Sequence, residues 1–188
     1  NDLLPEYARE AREGKRSSLR IWSAACSSGE EPYSLAIMIH RTLGVRLADW
    51  HIEILGTDIS QKVLDQAQAG KYSSFSFRSV SPMVVNRYFK EENGNFLLDP
   101  TIKSMVSFEQ LNLKDTLKAK RHGTWDVIFC RNVMIYFDDE MKRRCVQLFY
   151  EQLANDGTLF IGHSESIRNT GVPFKQLDVP QAFAYVKA

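Results

Sequence analysis

Short apolar runs alternate with helix-type patterns along most of the chain. Runs of this length that end in small or polar residues are typical of buried strands. They occupy residues 19–25, 52–57, 106–111, 125–130, 158–162 and 182–186. Apolar residues recur at helical spacing after three of these runs, over about 32–43, 60–70 and 138–153. This alternation predicts a doubly wound α/β sheet.

Residues that cap or break helices set the bounds expected for these helices. Ser60 can cap the helix after the second strand, because its hydroxyl can accept a hydrogen bond from a free N–H of the first turn. Asp138 or Asp139 can cap the helix that follows residues 125–130. The turn-forming run 155–157 is expected to end that helix and to lead into the next strand.

Two segments depart from the alternation of strands and helices. Residues 71–106 combine aromatic residues and serines with a turn-like run at 92–95 and a strand-like run at 96–98. We interpret this segment as an inserted subdomain made of helices and a β-hairpin. Residues 1–18 are charged and favour a helix, so we expect a linker helix from an N-terminal domain, followed by one main domain over 19–188.

Length and composition are typical of one domain in the cytoplasm. The chain has 188 residues, of which 44% are hydrophobic and 11% aromatic, enough to bury one substantial core. The formal net charge of +1 gives no reason to expect a nucleic acid partner. No run approaches about eighteen apolar residues, so no membrane insertion is expected. The N-terminus also lacks the basic start and apolar stretch of a signal peptide.

The cysteines and histidines do not form a metal-site pattern. The three cysteines contain no C-x-x-C pair, and the four histidines are scattered without the spacing of metal ligands. We therefore expect reduced, mostly buried thiols and no metal ion.

The strongest candidate for a ligand-binding loop follows the first strand, at residues 23–31. Ligands of such sheets bind beyond the carboxyl ends of the strands. Small residues in this loop would let a ligand approach the backbone, although the same residues also suit a simple tight turn. Glu30 and Glu31 would repel a pyrophosphate group, so the loop suits a neutral or cationic ligand better.

The next two strand ends carry residues that suit a nucleoside. Asp58 can accept hydrogen bonds from the two hydroxyls of a ribose, or it can cap the following helix. Asn112 can bind the edge of an adenine while its apolar neighbours, including Leu113, pack on the ring. Without the other loops, Asn112 would be an ordinary turn residue.

The run after the strand at 125–130 carries further polar candidates. Arg131 and Asn132 are expected to face the cleft, where the guanidinium can hold a carboxylate through two parallel hydrogen bonds. The alternative for Arg131 is an ion pair with Glu30 or Glu31. Tyr136 is either a core aromatic residue or a donor that orients a substrate carboxylate.

These motifs, taken in order and spacing, closely resemble one protein family. The strings are SAACSSGEEPYSLAI, GTDIS, FEQLNL, FCRNVMIYF and GTLFIGHSES, and the resemblance that they carry runs from about residue 19 to residue 186. They resemble the CheR family of chemoreceptor glutamate methyltransferases. The resemblance implies a class I, Rossmann-like fold that binds S-adenosylmethionine and releases S-adenosylhomocysteine. It also implies methyl transfer to glutamate side chains in the cytoplasmic domain of bacterial chemoreceptors, as part of chemotaxis adaptation.

The resemblance also implies roles for particular residues. By motif position, the following residues match the cofactor contacts of the family: Glu31, Asp58, Asn112, Leu113, Arg131 and Asn132. Arg131 and Tyr136 are the residues implied to act on the reacting groups, and Tyr136 matches a tyrosine proposed near the substrate. The segment 71–106 resembles the family's β-subdomain, which docks a receptor peptide in some members. Here the hairpin is short and lacks the multiple glycines of those members, which argues against tethering.

Three other functions are compatible with parts of the pattern. A nicotinamide-dependent oxidoreductase would need a G-x-G-x-x-G turn, which this chain lacks. A non-catalytic signalling module and a methyltransferase for small carboxylic acids remain as alternatives. Family members also carry an N-terminal helical domain with further cofactor contacts, so the resemblance does not imply activity for these 188 residues alone.

Overall fold

The computed structural model describes residues 17–180 and 182–188. The linker helix predicted over residues 1–18 lies outside this part of the chain, except for its last two residues. Of these, Ser18 begins the first strand instead of ending a helix.

Ten strands are present in the described residues. In chain order they are β1 Ser18–Ala24, β2 His51–Asp58, β3 Lys71–Tyr72, β4 Phe89–Glu92, β5 Asn95–Leu98, β6 Val106–Gln110, β7 Trp125–Cys130, β8 Leu153–Ile161, β9 Phe174–Gln176 and β10 Phe183–Lys187. The α-helices are α1 Glu30–Leu43, α2 Gln61–Ala69, α3 Pro82–Tyr88, α4 Pro100–Lys103, α5 Thr116–Lys120 and α6 Asp139–Gln152. Short 3-10 turns cover Gly44–Asp49, Ser74–Phe77, Met134–Tyr136 and Arg168–Thr170.

Seven of the strands form the central sheet, in the order β6-β2-β1-β7-β8-β10-β9. The first five strands of that order pair in parallel, and β10 pairs antiparallel with both β8 and β9. Strand order reverses between β1 and β7, which lie side by side although two βα units and an insertion separate them along the chain. Ligands of doubly wound sheets bind at such a reversal point. The predicted doubly wound sheet is confirmed.

The core has two layers because successive residues of a strand point to opposite faces of the sheet. Ile21 packs on the face covered by α1, whereas Trp22 packs on the face covered by α6. The Trp22 ring meets Phe149 of α6 edge to face, with 5.4 Å between the ring centroids. Its indole N–H donates to the Thr57 hydroxyl over 2.9 Å, so this buried donor is satisfied. The carboxyl ends of β1 and β2 are therefore fixed by the core on the α6 side of the sheet.

The segment between α2 and β6 forms a second, three-stranded sheet in the order β3-β5-β4. The predicted hairpin is present: β4 and β5 pair antiparallel around Asn93 and Gly94. Both turn residues have positive φ, 52° and 72°, as the two-residue turns that suit the twist of a hairpin require. This sheet contacts the loop that follows β1 through Tyr72, whose hydroxyl donates to the Ser28 carbonyl over 2.9 Å.

Several predicted boundaries differ from the structure. Residues 155–157 do not end a helix, because α6 stops at Gln152 and β8 already begins at the next residue. The pairing register between β7 and β8 shifts near Trp125, so part of the extra length of β8 lies in an irregularity of the sheet. Ser60 takes the N-cap position of α2, but its side chain makes no capping hydrogen bond. Asp138, rather than Asp139, caps α6 by accepting from the Met141 N–H over 2.7 Å.

The sequence patterns missed the short elements. Neither the two short helices α4 and α5 nor the edge strand β9 was predicted. Elements of three to five residues are too short to show a hydrophobic period, which explains these omissions. Among the described residues, no helix is long and apolar enough to cross a membrane.

Candidate active site

A cleft of about 380 Å³ opens where β1, β2, β6 and β7 end. Its walls come from the loops after these strands and from the start of α6. The lining residues are Ala25, Asp58, Ile59, Leu111, Asn112, Leu113, Lys114, Val133, Tyr136, Phe137, Asp138 and Met141. The volume lies in the range usual for small-molecule sites, and the mix of apolar walls with a few polar groups is also typical of them. The position agrees with the prediction that ligands bind at the carboxyl ends of the strands.

The loop between β1 and α1, residues 25–29, is called the β1 loop below. Ala25 and Ser27 have positive φ, 59° and 51°, a conformation that costs residues with a side chain on the order of 1–3 kcal/mol. The neighbouring backbone offsets this cost, since the Cys26 N–H donates to the Thr57 carbonyl over 2.9 Å. Cys26 itself is buried, and this burial, helped by the nearby Asp58 carboxylate, raises the pKa of its thiol to about 12.

Gly29 ends the β1 loop at a position that leaves no room for a side chain. Its φ is 86°, and a Cβ atom would lie 2.8 Å from the Cβ of Ala67 and 3.1 Å from the ring of Phe108. Only glycine meets both conditions without a shift of its neighbours. The close approach packs the loop against α2 and β6, so the start of α1 has a fixed position.

Glu31 lies in the first turn of α1 and is largely enclosed. The Ser23 hydroxyl donates to its Oε1 over 2.7 Å, and the Arg131 guanidinium lies 3.6 Å from its Oε2. Burial raises the pKa of the Glu31 carboxyl, and the Ser23 hydrogen bond and the charge of Arg131 offset only part of that effect. The ion pair that the sequence left open as an alternative for Arg131 is present, with Glu31 rather than Glu30 as its partner.

Asp58 ends β2 and lines the cleft. Its Oδ2 accepts the Ser27 N–H and its Oδ1 accepts the Ser60 N–H, each over 3.0 Å. Asp58 thus fixes the β1 loop and also the turn into α2. A carboxylate has about four acceptor positions on its two oxygens, so each oxygen keeps one position for a ligand hydroxyl. The alternative that Asp58 caps α2 is wrong, because Ser60 takes the N-cap position and Asp58 accepts the N–H of Ser60 rather than one of the first helical turn. Its contact with a ligand stays a prediction.

Asn112 and Leu113 follow β6 and line the opposite wall of the cleft. The Asn112 side-chain oxygen accepts the Lys114 N–H over 3.0 Å, and this bond closes a local turn. The bond leaves the amide NH₂ of Asn112 as the group that can donate to a ligand. Leu111 and Leu113 are both buried and present an apolar surface beside it.

The loop after β7, residues 131–137, is called the β7 loop below. It depends on Glu165, a carboxylate that is only 7% exposed. The backbone N–H groups of Asn132, Val133 and Met134 donate to this carboxylate over 3.0, 2.9 and 2.7 Å. The Gly162 N–H adds a fourth bond of 2.6 Å. Asn132 has a φ of 61°, which turns the successive N–H groups toward one point.

The three candidate residues of the β7 loop, Arg131, Asn132 and Tyr136, differ in their position relative to the cleft. Tyr136 lies at the mouth of the cleft on the turn Met134–Tyr136 and is 80% exposed, so it is not a core residue. Arg131 is half-exposed and turned toward Glu31, and neither side chain contributes to the cleft wall. Asn132 is exposed and also lies outside the wall. Arg131 and Asn132 lie beside the residues that line this cleft, and their orientation toward a bound ligand stays a prediction.

The sequence missed part of the site. It named Asp58, Asn112, Leu113 and Tyr136, which all line the cleft. It did not name most of the apolar wall, which includes Val133 and Met141, nor the buried carboxylate of Glu165. The string GHSES contains that glutamate at the end of a parallel strand, which is the only signal that could have pointed to it. Its partners are backbone N–H groups, and these have no signature in a sequence.

Comparison with solved structures identifies the class of fold. A TehB-like SAM-dependent methyltransferase from Corynebacterium glutamicum superposes with a TM-score of 0.54. The match covers 97% of this chain and 87% of that one at 13% sequence identity, so it shows the fold alone. The predicted class of α/β sheet, that of the S-adenosylmethionine-dependent methyltransferases, is confirmed.

Comparison of sequences identifies the family. Residues 1–183 match the family described as CheR methyltransferase, SAM binding domain, and the chain belongs to that family. The predicted family and the predicted cofactor, S-adenosylmethionine, are thereby confirmed. Chemotaxis protein methyltransferase 2 of Vibrio cholerae is 42% identical over 150 residues, which are 79% of this chain and 52% of that protein. A probable chemotaxis protein methyltransferase of Rhizobium etli is 41% identical over 169 residues, 88% of this chain and 61% of that protein. The chain thus spans little more than half the length of these relatives.

The residues of the cleft fit the chemistry of S-adenosylmethionine. Asp58 offers the two acceptor positions that ribose hydroxyls need. The buried Leu111 and Leu113 offer an apolar surface for an adenine ring, beside the amide of Asn112. The enclosed Glu31 carboxylate lies at the same sheet edge and favours a cationic group. Among the described residues that line the cleft, Lys114 is the one basic side chain.

Proposed function

We propose that this chain binds S-adenosylmethionine in the cleft and transfers its methyl group to glutamate side chains in the cytoplasmic domain of bacterial chemoreceptors. The main observation in support is that one cleft combines a wall suited to a nucleoside with an exposed tyrosine at its mouth. The names of the relatives, which are chemotaxis protein methyltransferases, support the receptor as acceptor. A reaction in the cytoplasm follows from this choice of acceptor.

In this proposal the nucleoside half of the cofactor binds between β2 and β6. Asp58 accepts hydrogen bonds from the ribose hydroxyls through the free lone pairs of its two oxygens. Asn112 donates its amide NH₂ to the adenine edge, and Leu113 packs on the ring face. The backbone bonds to Ser27 and Ser60 hold the Asp58 carboxylate in place before the ligand arrives, so little ordering is needed on binding.

The amino-acid tail of the cofactor is assigned to the ion pair beside the cleft. Glu31 would take the ammonium group, and Arg131 would take the carboxylate with its planar guanidinium. The two side chains now neutralise each other over 3.6 Å. A zwitterionic tail would replace that single contact by two contacts of opposite sign, which leaves no charge uncompensated. Asn132, exposed beside Arg131, is assigned to the same tail.

The chemistry needs alignment more than it needs a base. In S-adenosylmethionine the methyl group is bonded to a positively charged sulfur. This sulfur is the leaving group, and it becomes the neutral thioether of S-adenosylhomocysteine. An oxygen of the acceptor carboxylate forms the new O–C bond as the C–S bond breaks, so one negative and one positive charge disappear and no proton is released. A glutamate with an ordinary pKa of about 4.3 is already ionised at neutral pH. Positioning of this kind can supply about 7–11 kcal/mol in well-aligned intramolecular reactions.

Tyr136 is assigned the positioning of the acceptor. Its side chain is 80% exposed at the rim of the cleft, so an incoming receptor side chain can reach the hydroxyl. A hydroxyl that donates to one carboxylate oxygen fixes the orientation of the other oxygen, which then attacks the methyl group. Tyr136 thus contacts the substrate, whereas Arg131 acts beside it through the cofactor tail.

The proposal is tested by labelling. The full-length protein is incubated with methyl-labelled S-adenosylmethionine and with cytoplasmic fragments of chemoreceptors, and the products are searched for methyl esters that base releases. We expect label on the receptor fragments, and none when their modified glutamates are replaced by alanine.

Two results would overturn the assignment in different ways. Cofactor binding without any methyl ester on a receptor fragment would indicate a non-catalytic signalling module. Label that appears only in a soluble carboxylic acid would indicate a methyltransferase for small acids.

A further inference from the structure

Glu165 lies between two functional loops without lining the cleft itself. It follows β8 and is almost completely buried, whereas Arg131, which precedes the donor residues of the β7 loop in the chain, is paired with Glu31. A buried carboxylate without a cation needs several hydrogen-bond donors to offset the loss of hydration. Backbone N–H groups supply all four donors that the described residues provide to it.

The geometry of these donors is that of an anion-binding nest. Three consecutive N–H groups, from Asn132 to Met134, converge on one carboxylate because Asn132 adopts a left-handed conformation with φ 61°. Such a concavity usually receives an external anion, whereas here a side chain of the same chain fills it. The Oε1 atom accepts from Val133 and Met134, and the Oε2 atom accepts from Asn132 and Gly162.

Gly162 closes the arrangement from the other side. A Cβ atom at this position would lie 2.7 Å from Oδ1 of Asn132 and 2.8 Å from Oε2 of Glu165. These distances are shorter than any ordinary contact, so a larger residue would displace either the carboxylate or the loop. The end of β8 and the β7 loop are therefore fitted to each other around Glu165.

The β7 loop, which Glu165 orders, carries residues assigned to the acceptor and residues assigned to the cofactor. Val133, Tyr136 and Phe137 belong to the cleft wall, and Arg131 pairs with Glu31. Tyr136 also depends on the same turn, because its N–H donates to the Val133 carbonyl over 3.1 Å. A change in the nest therefore moves the tyrosine hydroxyl relative to the cleft, although Glu165 contacts neither ligand.

We infer that Glu165 is a positioning residue for methyl transfer: its carboxylate fills the nest of the β7 loop and so fixes Tyr136 over the cleft. The inference rests on the proposed function for its catalytic consequence. The ordering of the loop, by contrast, can be measured without any substrate.

The first test is hydrogen exchange in Glu165→Gln. An amide side chain has one acceptor oxygen, so one pair of N–H groups loses its partner in either orientation of the glutamine. We expect amide exchange at 132–134 and at Gly162 to accelerate by about 10-fold or more, whereas the β1 loop keeps its wild-type rates. Glu151→Gln, on the exposed face of α6, is the matched control and should leave both loops unchanged.

The second test separates positioning from general stability. In Glu165→Gln we expect turnover to fall by about 10-fold to 100-fold, with a smaller rise in the KM for S-adenosylmethionine. If Glu165 acts through Tyr136, the double variant Glu165→Gln, Tyr136→Phe will lose less turnover than the product of the two single-variant losses. Gly162→Ala, which presses on the same carboxylate, provides a second variant with the same expected direction in case Glu165→Gln does not fold.

The outcomes distinguish this inference from the proposed function. Unchanged exchange at 132–134 in a folded Glu165→Gln protein, or fully multiplicative effects with Tyr136→Phe, would overturn the positioning role. A wild-type protein that transfers no methyl group would overturn the proposed function instead, and accelerated exchange in the variant would still support the role of Glu165 in ordering the loop.

Discussion

The β1 loop and the β7 loop flank the same cleft, but they are held in place in different ways. The β1 loop has partners from several elements: Thr57 and Asp58 of β2, Tyr72 of the small sheet, and the close contact of Gly29 with α2. The backbone N–H groups of the β7 loop are held by one carboxylate, that of Glu165, while Met134 packs in the core. Both loops contain non-glycine residues with positive φ, so both depend on these supports.

This difference between the loops predicts whether a variant loses mainly stability or mainly activity. The β1 loop is continuous with the core, so a change that moves it also disturbs the packing between α2, β6 and the small sheet. Three successive N–H groups of the β7 loop depend on a single side chain, so a change at Glu165 can displace catalytic groups while most of the sheet stays intact. We therefore expect variants of the β1 loop to lose mainly stability and variants of the β7 loop to lose mainly activity.

Gly29→Ala should give the largest effect, on stability. The added Cβ would meet Ala67 at 2.8 Å in a residue whose φ is 86°. We expect a loss of about 2–4 kcal/mol in the free energy of unfolding, from the unfavourable φ together with overpacking. Denaturant unfolding measures this value.

Gly171→Ala is the matched control for Gly29→Ala. Gly171 has a similar φ of 73°, but no atom would lie within 4 Å of its added Cβ. It should lose only about 1 kcal/mol. Equal losses in the two variants would show that the close packing of the β1 loop contributes nothing.

Tyr136→Phe should give the next largest effect, on turnover. Loss of one hydrogen bond to a charged acceptor is expected to lower kcat by about 10-fold to 100-fold, with little change in cofactor affinity or stability. Steady-state kinetics with a receptor fragment and calorimetry with S-adenosylhomocysteine measure the two quantities. Tyr150→Phe, on α6 beside Phe174, is the control and should keep wild-type turnover. An equal loss of cofactor affinity in Tyr136→Phe would place the hydroxyl on the cofactor instead.

Glu31→Gln should give the smallest effect, visible as a change in pH dependence. Because burial raises the pKa of Glu31, its carboxyl takes up a proton at a higher pH than an ordinary glutamate does. Cofactor affinity of the wild type should therefore fall as the pH is lowered from neutral toward the raised pKa of Glu31, whereas Glu31→Gln should bind more weakly and with a flatter profile. Calorimetric titrations at several pH values would show whether both proteins instead follow the same profile.

The raised pKa of Glu31 also affects the free energy of unfolding, but there the pH dependence has the opposite sign to that of cofactor affinity. Between the unfolded and the folded pKa, the folded protein keeps the Glu31 proton that the unfolded chain has lost. The contribution of Glu31 to the free energy of unfolding therefore decreases as the pH rises through this interval. Relative to Glu31→Gln, the wild type should be less stable at neutral pH than at acidic pH.

The parts that the sequence predicted best are those with a periodic pattern or a fixed motif. The strands β1, β2 and β7 follow from short apolar runs, and the hairpin around Asn93 follows from its turn residues. Asp58, Asn112 and Tyr136 were found because a strand end marks each position and the chemistry of each side chain suits a ligand.

The parts that the sequence did not predict depend on contacts between distant segments. Glu165 acts through the N–H groups of residues some thirty positions earlier, and backbone donors are the same in every sequence. The sequence offered an ion pair of Arg131 with Glu30 or Glu31 only as an alternative, because the pair with Glu31 forms only when β1 and β7 lie side by side. The end of α6 at Gln152 depends on an irregular pairing with β7 that no local pattern shows.

The most direct test of the central claim, that this cleft binds S-adenosylmethionine through Asp58, is a calorimetric titration with S-adenosylhomocysteine. We expect the wild type to bind and Asp58→Ala to lose about 10-fold or more in affinity, because the ribose hydroxyls lose a charged acceptor. Asp99→Ala, which removes a comparable bond to a backbone N–H at the start of α4, should bind as the wild type does. Undiminished affinity in Asp58→Ala, or no binding to the wild type, would contradict the account.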